Sequence, residues 1–136
     1  MEPKPHYSTQ TKARKAALDI LYQAELRGDS LAETFAEQRS LAGGVVRELT
    51  TRIVLGVAEH QQEIDQRIAE STSSTWPLER MPAVDRNLAR IAVYELDYSD
   101  VPAPAVISEA ARLPGDISTD DSSTFINGLL SKEIAA

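Results

Sequence analysis

An all-α fold is predicted from three observations: apolar residues recur every three or four positions through successive segments, no segment sustains the alternation of a strand, and aromatic residues are only 5% of the chain. At 136 residues the chain is of single-domain size, and a hydrophobic fraction of 42% is enough to build one core.

The elements follow in order. Residues 1–9, holding Pro3 and Pro5, read as a loose basic arm. Ala13, Ala17, Ile20, Leu21 and Ala24 then mark a first helix over roughly 10–27, stopped by Gly28. Ser30 and Glu33 have the spacing of a capping box, in which each side chain satisfies a free amide at the start of a short second helix bearing Leu31 and Phe35. Gly43-Gly44 ends it. From Val46 the stripe Leu49, Ile53, Val57, Ile64 and Ile68 predicts a long third helix to about Ala69. Gly56 inside it lowers helix propensity, which suggests a close helix–helix approach.

Ser71 to Thr75 is small, polar and aperiodic, and reads as a linker between an N-terminal half, 10–70, and a C-terminal half, 76–136. Trp76-Pro77-Leu78 begins an anchored turn. Pro82 is placed to open a helix carrying Val84, Leu88, Ile91, Ala92 and Leu96, and Pro102 and Pro104 break it. A short helix over about 104–113 precedes Pro114-Gly115. Asp120 or Asp121 can then cap an expected last helix with Phe125, Ile126, Leu129 and Ile134.

Enzyme chemistry finds little support. His6 and His60 are the only histidines, cysteine is absent, and no His-x-x-x-His or Glu-x-x-His pair occurs. Scattered glycines match neither a phosphate loop nor a dinucleotide fingerprint, and there is no Gly-x-Ser-x-Gly elbow. Neither a metal nor a cofactor is expected. Asp120-Asp121 has the form of a cation site or acid–base couple, but capping a helix is the plainer account. No apolar run approaches the roughly 18 residues of a membrane span, and no secretory segment opens the chain, so a cytoplasmic protein is expected.

The net charge of −7 argues against nucleic acid until its distribution is considered. Lys4, Lys12, Arg14 and Lys15 against Glu2 leave residues 1–15 at +3, so the other 121 residues carry −10. Lys12, Arg14 and Lys15 fall in the first turns of a helix, where the dipole disfavours cations and favours anions. A phosphate backbone docked there would account for the placement; a solvated helix start is the bland alternative. So few charges predict weak binding, and a protein partner would have to help.

Five segments together resemble the NusB family of transcription antitermination factors. They are Ala13-Arg14-Lys15-Ala16 leading to Leu21-Tyr22-Gln23; Val54-Leu55-Gly56-Val57; Ile64-Asp65; the run from Asp85-Arg86-Asn87 through Tyr94-Glu95-Leu96; and Thr119-Asp120-Asp121-Ser122 through Phe125-Ile126-Asn127-Gly128-Leu129-Leu130. They stand in family order over essentially the whole chain. The resemblance implies two packed three-helix subdomains and a non-enzymatic role. In that role the protein pairs with NusE, a small-subunit ribosomal protein, to bind boxA RNA of ribosomal RNA leaders and recruit an antitermination complex to RNA polymerase.

The resemblance also implies an RNA surface of Lys12, Arg14 and Lys15 with Asp121 and Phe125, and a NusE surface that includes Tyr22 and Asp85. Phe125 offers a stacking face and Asp121 an acceptor for base amino groups, against the plainer roles of core residue and cap. An acidic body suits a basic ribosomal partner. Arg90, Glu95 and Glu109, charged groups within apolar helices, read as ion-paired ties between helices. Two features depart from the family pattern: Thr9, Gln10 and Thr11 stand where a denser arginine run is usual, and Pro114-Gly115 interrupts a helix after Glu109-Ala110. Two other roles compete, an RNA-binding module of a ribosomal RNA cytosine methyltransferase and a helical adaptor without an RNA role; self-association into a homodimer that hides the RNA surface is left open.

Overall fold

The computed structural model describes residues 8–71 and 78–113. Within them are five α-helices, α1 (Thr9–Arg27), α2 (Leu31–Leu41), α3 (Glu48–Ser71), α4 (Ala83–Tyr98) and α5 (Ala103–Arg112), with a single 3-10 turn at Leu78–Arg80 and no strand. The expected linker at 71–75 lies, beyond Ser71, outside the described residues, as do Pro114-Gly115 and the expected last helix.

Local chemistry sets the helix ends. Ser8 caps α1, its hydroxyl accepting from the Thr11 amide at 3.1 Å. Gly28 stops α1 by turning left-handed at φ 70°: its amide donates to the Glu25 carbonyl at 3.3 Å, and the turn sends the following Asp29 amide back to the Ala24 carbonyl at 3.0 Å. Ser30 caps α2 by accepting from the Glu33 amide at 3.1 Å, but among the described residues Glu33 returns no bond, so only half of the expected capping box forms. Gly43 and Gly44, both at positive φ, then reverse the chain. Pro82 stands at the N-cap of α4, just outside the position expected for it, where its missing amide costs nothing.

The apolar stripes meet in one core. Ala17, Leu18 and Leu21 of α1, Ile53, Val57, Ile64 and Ile68 of α3, Leu88, Ala92 and Val93 of α4, and Val106 and Ala110 of α5 are all buried in a single cluster. α3 packs against α1, α2 and α4, and α5 packs on α4. The described helices of the two halves therefore share that core instead of standing apart.

At Gly56 the Tyr94 ring of α4 lies against the α3 backbone. A Cβ placed there would lie inside the van der Waals envelope of the Tyr94 ring, which explains a glycine in mid-helix. One turn later α3 kinks at His60 (φ −111°, ψ 19°), a break the continuous stripe does not foretell. Its ring stacks on Tyr98 with centroids 3.9 Å apart.

Candidate RNA and partner-protein interface

α1 spans the candidate surface from one end to the other. Lys12 and Lys15 occupy its first two turns and Tyr22 its second half, about 15 Å further along the axis. Thr50 on α3 fixes the first end by donating its hydroxyl to the Ala13 carbonyl at 2.9 Å. Lys12 is exposed and Lys15 half-buried, and neither forms an ion pair among the described residues. Both are therefore free to meet an anion.

Arg14 is placed differently from the sequence expectation. It is 6% exposed, and its Nε and Nη2 each donate at 2.8 Å to the two carboxylate oxygens of Glu95, itself 2% exposed. Its Nη1 lies 3.7 Å from Glu109, whose carboxylate also accepts from the Thr11 hydroxyl at 3.0 Å. Hydrogen bonding to Glu95 raises the Arg14 pKa, burial opposes the rise, and the charges of Glu95 and Glu109 add to it. A bidentate guanidinium held this way ties α1 to α4 and α5 and leaves its donors to those helices. Helical spacing carries the signal: Arg14 precedes Ala17, Leu18 and Leu21 by three, four and seven residues and so falls on the buried stripe. Lys12 aligns instead with Ala16 and Asp19, on the outer side.

The second end is built around Glu25. Its carboxylate accepts from Arg86 Nε and Nη2 at 2.7 Å each and lies 3.5 Å from Arg90 Nη1. Arg90 in turn donates to Asp65 at 2.8 and 3.1 Å and to the Asn87 side-chain oxygen at 2.9 Å. The Arg86 hydrogen bonds lower the Glu25 pKa, partial burial works against them, and the charges of Arg86 and Arg90 reinforce the fall. Arg90, Glu95 and Glu109 are thus the interhelical ties that their positions suggest.

Tyr22 lies one turn before Glu25 on α1, and Asp85 directly precedes Arg86 in the first turn of α4. Tyr22 is half-buried. Asp85 is 2% exposed and among the described residues its Oδ1 has no hydrogen-bond donor, so of the two residues expected to face a partner protein only Tyr22 is at the surface. Asp85 also reads on a buried stripe, three, four and seven residues before Leu88, Ala89 and Ala92. In the first turn of α4 its charge complements the helix dipole. Asp121 and Phe125 lie outside the described residues.

Among the described residues no group of three or more His, Cys, Asp or Glu side chains could hold a metal ion, and no helix is long and apolar enough to cross a membrane.

Comparison with known proteins agrees with this architecture. The NusB family profile matches residues 11–134. The transcription antitermination protein NusB of Acidothermus cellulolyticus is 47% identical over 121 residues, covering 88% of this chain and 83% of that protein. The NusB of Clavibacter sepedonicus is 45% identical over 135 residues, covering 95% and 98%. Among solved structures, NusB of T. maritima superposes with a TM-score of 0.81 at 27% identity, covering 96% of this chain and 93% of that one. A structure of antitermination factors NusB and NusE in complex with double-stranded RNA gives a TM-score of 0.79 at 27% identity, covering 93% and 97%. With its profile match, its relatives and its fold in agreement, this chain belongs to the NusB family.

Proposed function

We propose that the protein is a cytoplasmic transcription antitermination factor that pairs with ribosomal protein NusE, binds boxA RNA of ribosomal RNA leaders with it, and so recruits the antitermination complex to RNA polymerase. The observation that carries this reading is family membership across residues 11–134, supported by the likeness to a NusB–NusE–RNA complex. The role is one of binding: it calls for no catalytic group, metal or cofactor.

Lys12 and Lys15 contact the RNA backbone, while Arg14 acts one step back by fixing the α1 start against Glu95. Asp121 and Phe125 supply the acceptor and stacking face that read an unpaired base. Tyr22 contacts NusE, and Asp85 supports the start of α4 beside it. Two free lysines explain why RNA binding needs a partner, since so few phosphate contacts give weak affinity with a shallow salt dependence. The −10 carried outside residues 1–15 favours a basic ribosomal protein.

The reading is tested by titrating boxA RNA against the protein with and without NusE. Tighter binding in the presence of NusE, lost in a Lys12→Ala, Lys15→Ala variant that still binds NusE, is the expected result. RNA affinity unchanged by both NusE and the double substitution would overturn it.

A further inference from the structure

We propose that Arg47, at the start of α3, is the third cation of the RNA-binding surface, in the place that the buried Arg14 leaves open. The proposal rests on the RNA-binding reading above and adds a residue to it.

Most arginines of the chain are already committed. Arg14, Arg27, Arg52, Arg67, Arg86 and Arg90 all sit in ion pairs. Arg47 makes none among the described residues, and its side chain is exposed. It lies one turn before Thr50, whose hydroxyl is bonded to the Ala13 carbonyl, so the start of α3 is pinned beside the basic turns of α1. The Arg47 carbonyl accepts from the Thr51 amide at 3.1 Å, which fixes its backbone at the head of the helix.

Arg47 also shares a groove with α1. A cavity of about 510 Å³ is lined by Ala16, Asp19 and Ile20 of α1 together with Val46, Arg47 and Thr50. Lys12 stands one helical turn before Ala16, and Lys15 one turn before Asp19, so helical spacing sets both lysines next to lining residues, on the side toward the α1 start. Desolvation raises the pKa of the Asp19 carboxyl, and the charge of Lys15 one turn earlier counters the rise. At the other end Gln38 donates to Gln23 at 2.8 Å and pins α2 to α1 there. Charge complementarity names the occupant: Arg47 in the groove wall with Lys12 and Lys15 on the adjoining turns of α1 outnumber the single carboxylate of Asp19 and suit a phosphate backbone, and only two of the three cations come from α1.

The test is a salt series of boxA RNA binding to the full chain in the presence of NusE, comparing the natural protein with Arg47→Gln, Arg47→Lys and Arg52→Gln. Loss of one phosphate contact reduces the slope of log K against log salt by about 0.7 for a single strand, which amounts to about fourfold weaker binding at 0.15 M salt relative to 1 M. That change is expected for Arg47→Gln, with Arg47→Lys close to the natural protein and NusE affinity unaltered. Arg52, tied to Glu48 and lining a different groove with Tyr94 and Tyr98, should leave the slope as it is. An unchanged slope in Arg47→Gln, an equal change in Arg52→Gln, or a parallel loss of NusE affinity would overturn the assignment. No RNA binding by the natural protein with NusE would overturn the functional reading beneath it.

Discussion

Replacing Arg14 by alanine should cost stability before it costs anything else. The guanidinium and the Glu95 carboxylate are 7% and 2% exposed and meet through two hydrogen bonds of 2.8 Å. Leu88, Ile91, Val106 and Leu113 wall the pair in. Deleting one partner strands the other charge in that setting, and breaking a buried pair typically costs about 3–5 kcal/mol. Against a domain stability of roughly 5–15 kcal/mol this is a large fraction. At about 3–5 °C per kcal/mol for a chain of this size, the midpoint should fall by roughly 9–25 °C. Urea denaturation followed by circular dichroism measures the loss directly. Arg14→Met combined with Glu95→Leu removes both charges at similar volume and should recover most of it, while keeping RNA affinity in the presence of NusE. If Arg14→Ala loses less than about 0.5 kcal/mol yet binds RNA weakly, Arg14 is an RNA ligand and its assignment to the fold is refuted.

Three further outcomes follow from the same geometry. Glu25→Gln should be less stable than the natural protein near neutral pH; because Arg86 holds the Glu25 pKa below its ordinary 4.5, that contribution is complete above about pH 4.5 and is lost as pH falls through the lower folded-state value. Denaturant midpoints taken from pH 7 downward should therefore converge, and a constant gap would show that the Arg86 pair does not titrate as described. Gly56→Ala gains about 1 kcal/mol of helix propensity but must displace the Tyr94 ring, an overpacking cost of about 1–3 kcal/mol, so thermal unfolding should show net destabilisation; a stabilised variant would mean that the ring yields freely. Tyr22→Ala should weaken NusE binding by about tenfold, or 1.4 kcal/mol, with little change in the unfolding midpoint; unaltered affinity in calorimetry would remove Tyr22 from the interface.

Helix positions were the legible part of this sequence because they depend on local order. The stripes of α1, α3 and α4, the stop at Gly28 and the close approach at Gly56 each follow from spacing or from one residue's chemistry. Partners far apart in sequence are another matter. Arg14 and Glu95 are 81 residues apart, and Lys12, Arg14 and Lys15 look alike as a basic cluster until the helix turns one inward and two outward. Asp85 was expected at a protein interface, yet its register with Leu88, Ala89 and Ala92 carries it inside. Arg47 carries no signal of its own in the sequence, because its place beside α1 exists only once Thr50 has docked on Ala13 and set the start of α3 there. The kink at His60 interrupts no pattern in the sequence, since Ile64 and Ile68 remain buried beyond it.

The most direct test of the central claim is RNA binding itself, measured at low salt for boxA RNA and for a scrambled RNA of equal length, each with and without NusE. On this reading NusE tightens binding to boxA RNA and the scrambled sequence binds more weakly. Equal binding of the two RNAs, or an affinity indifferent to NusE, would contradict it.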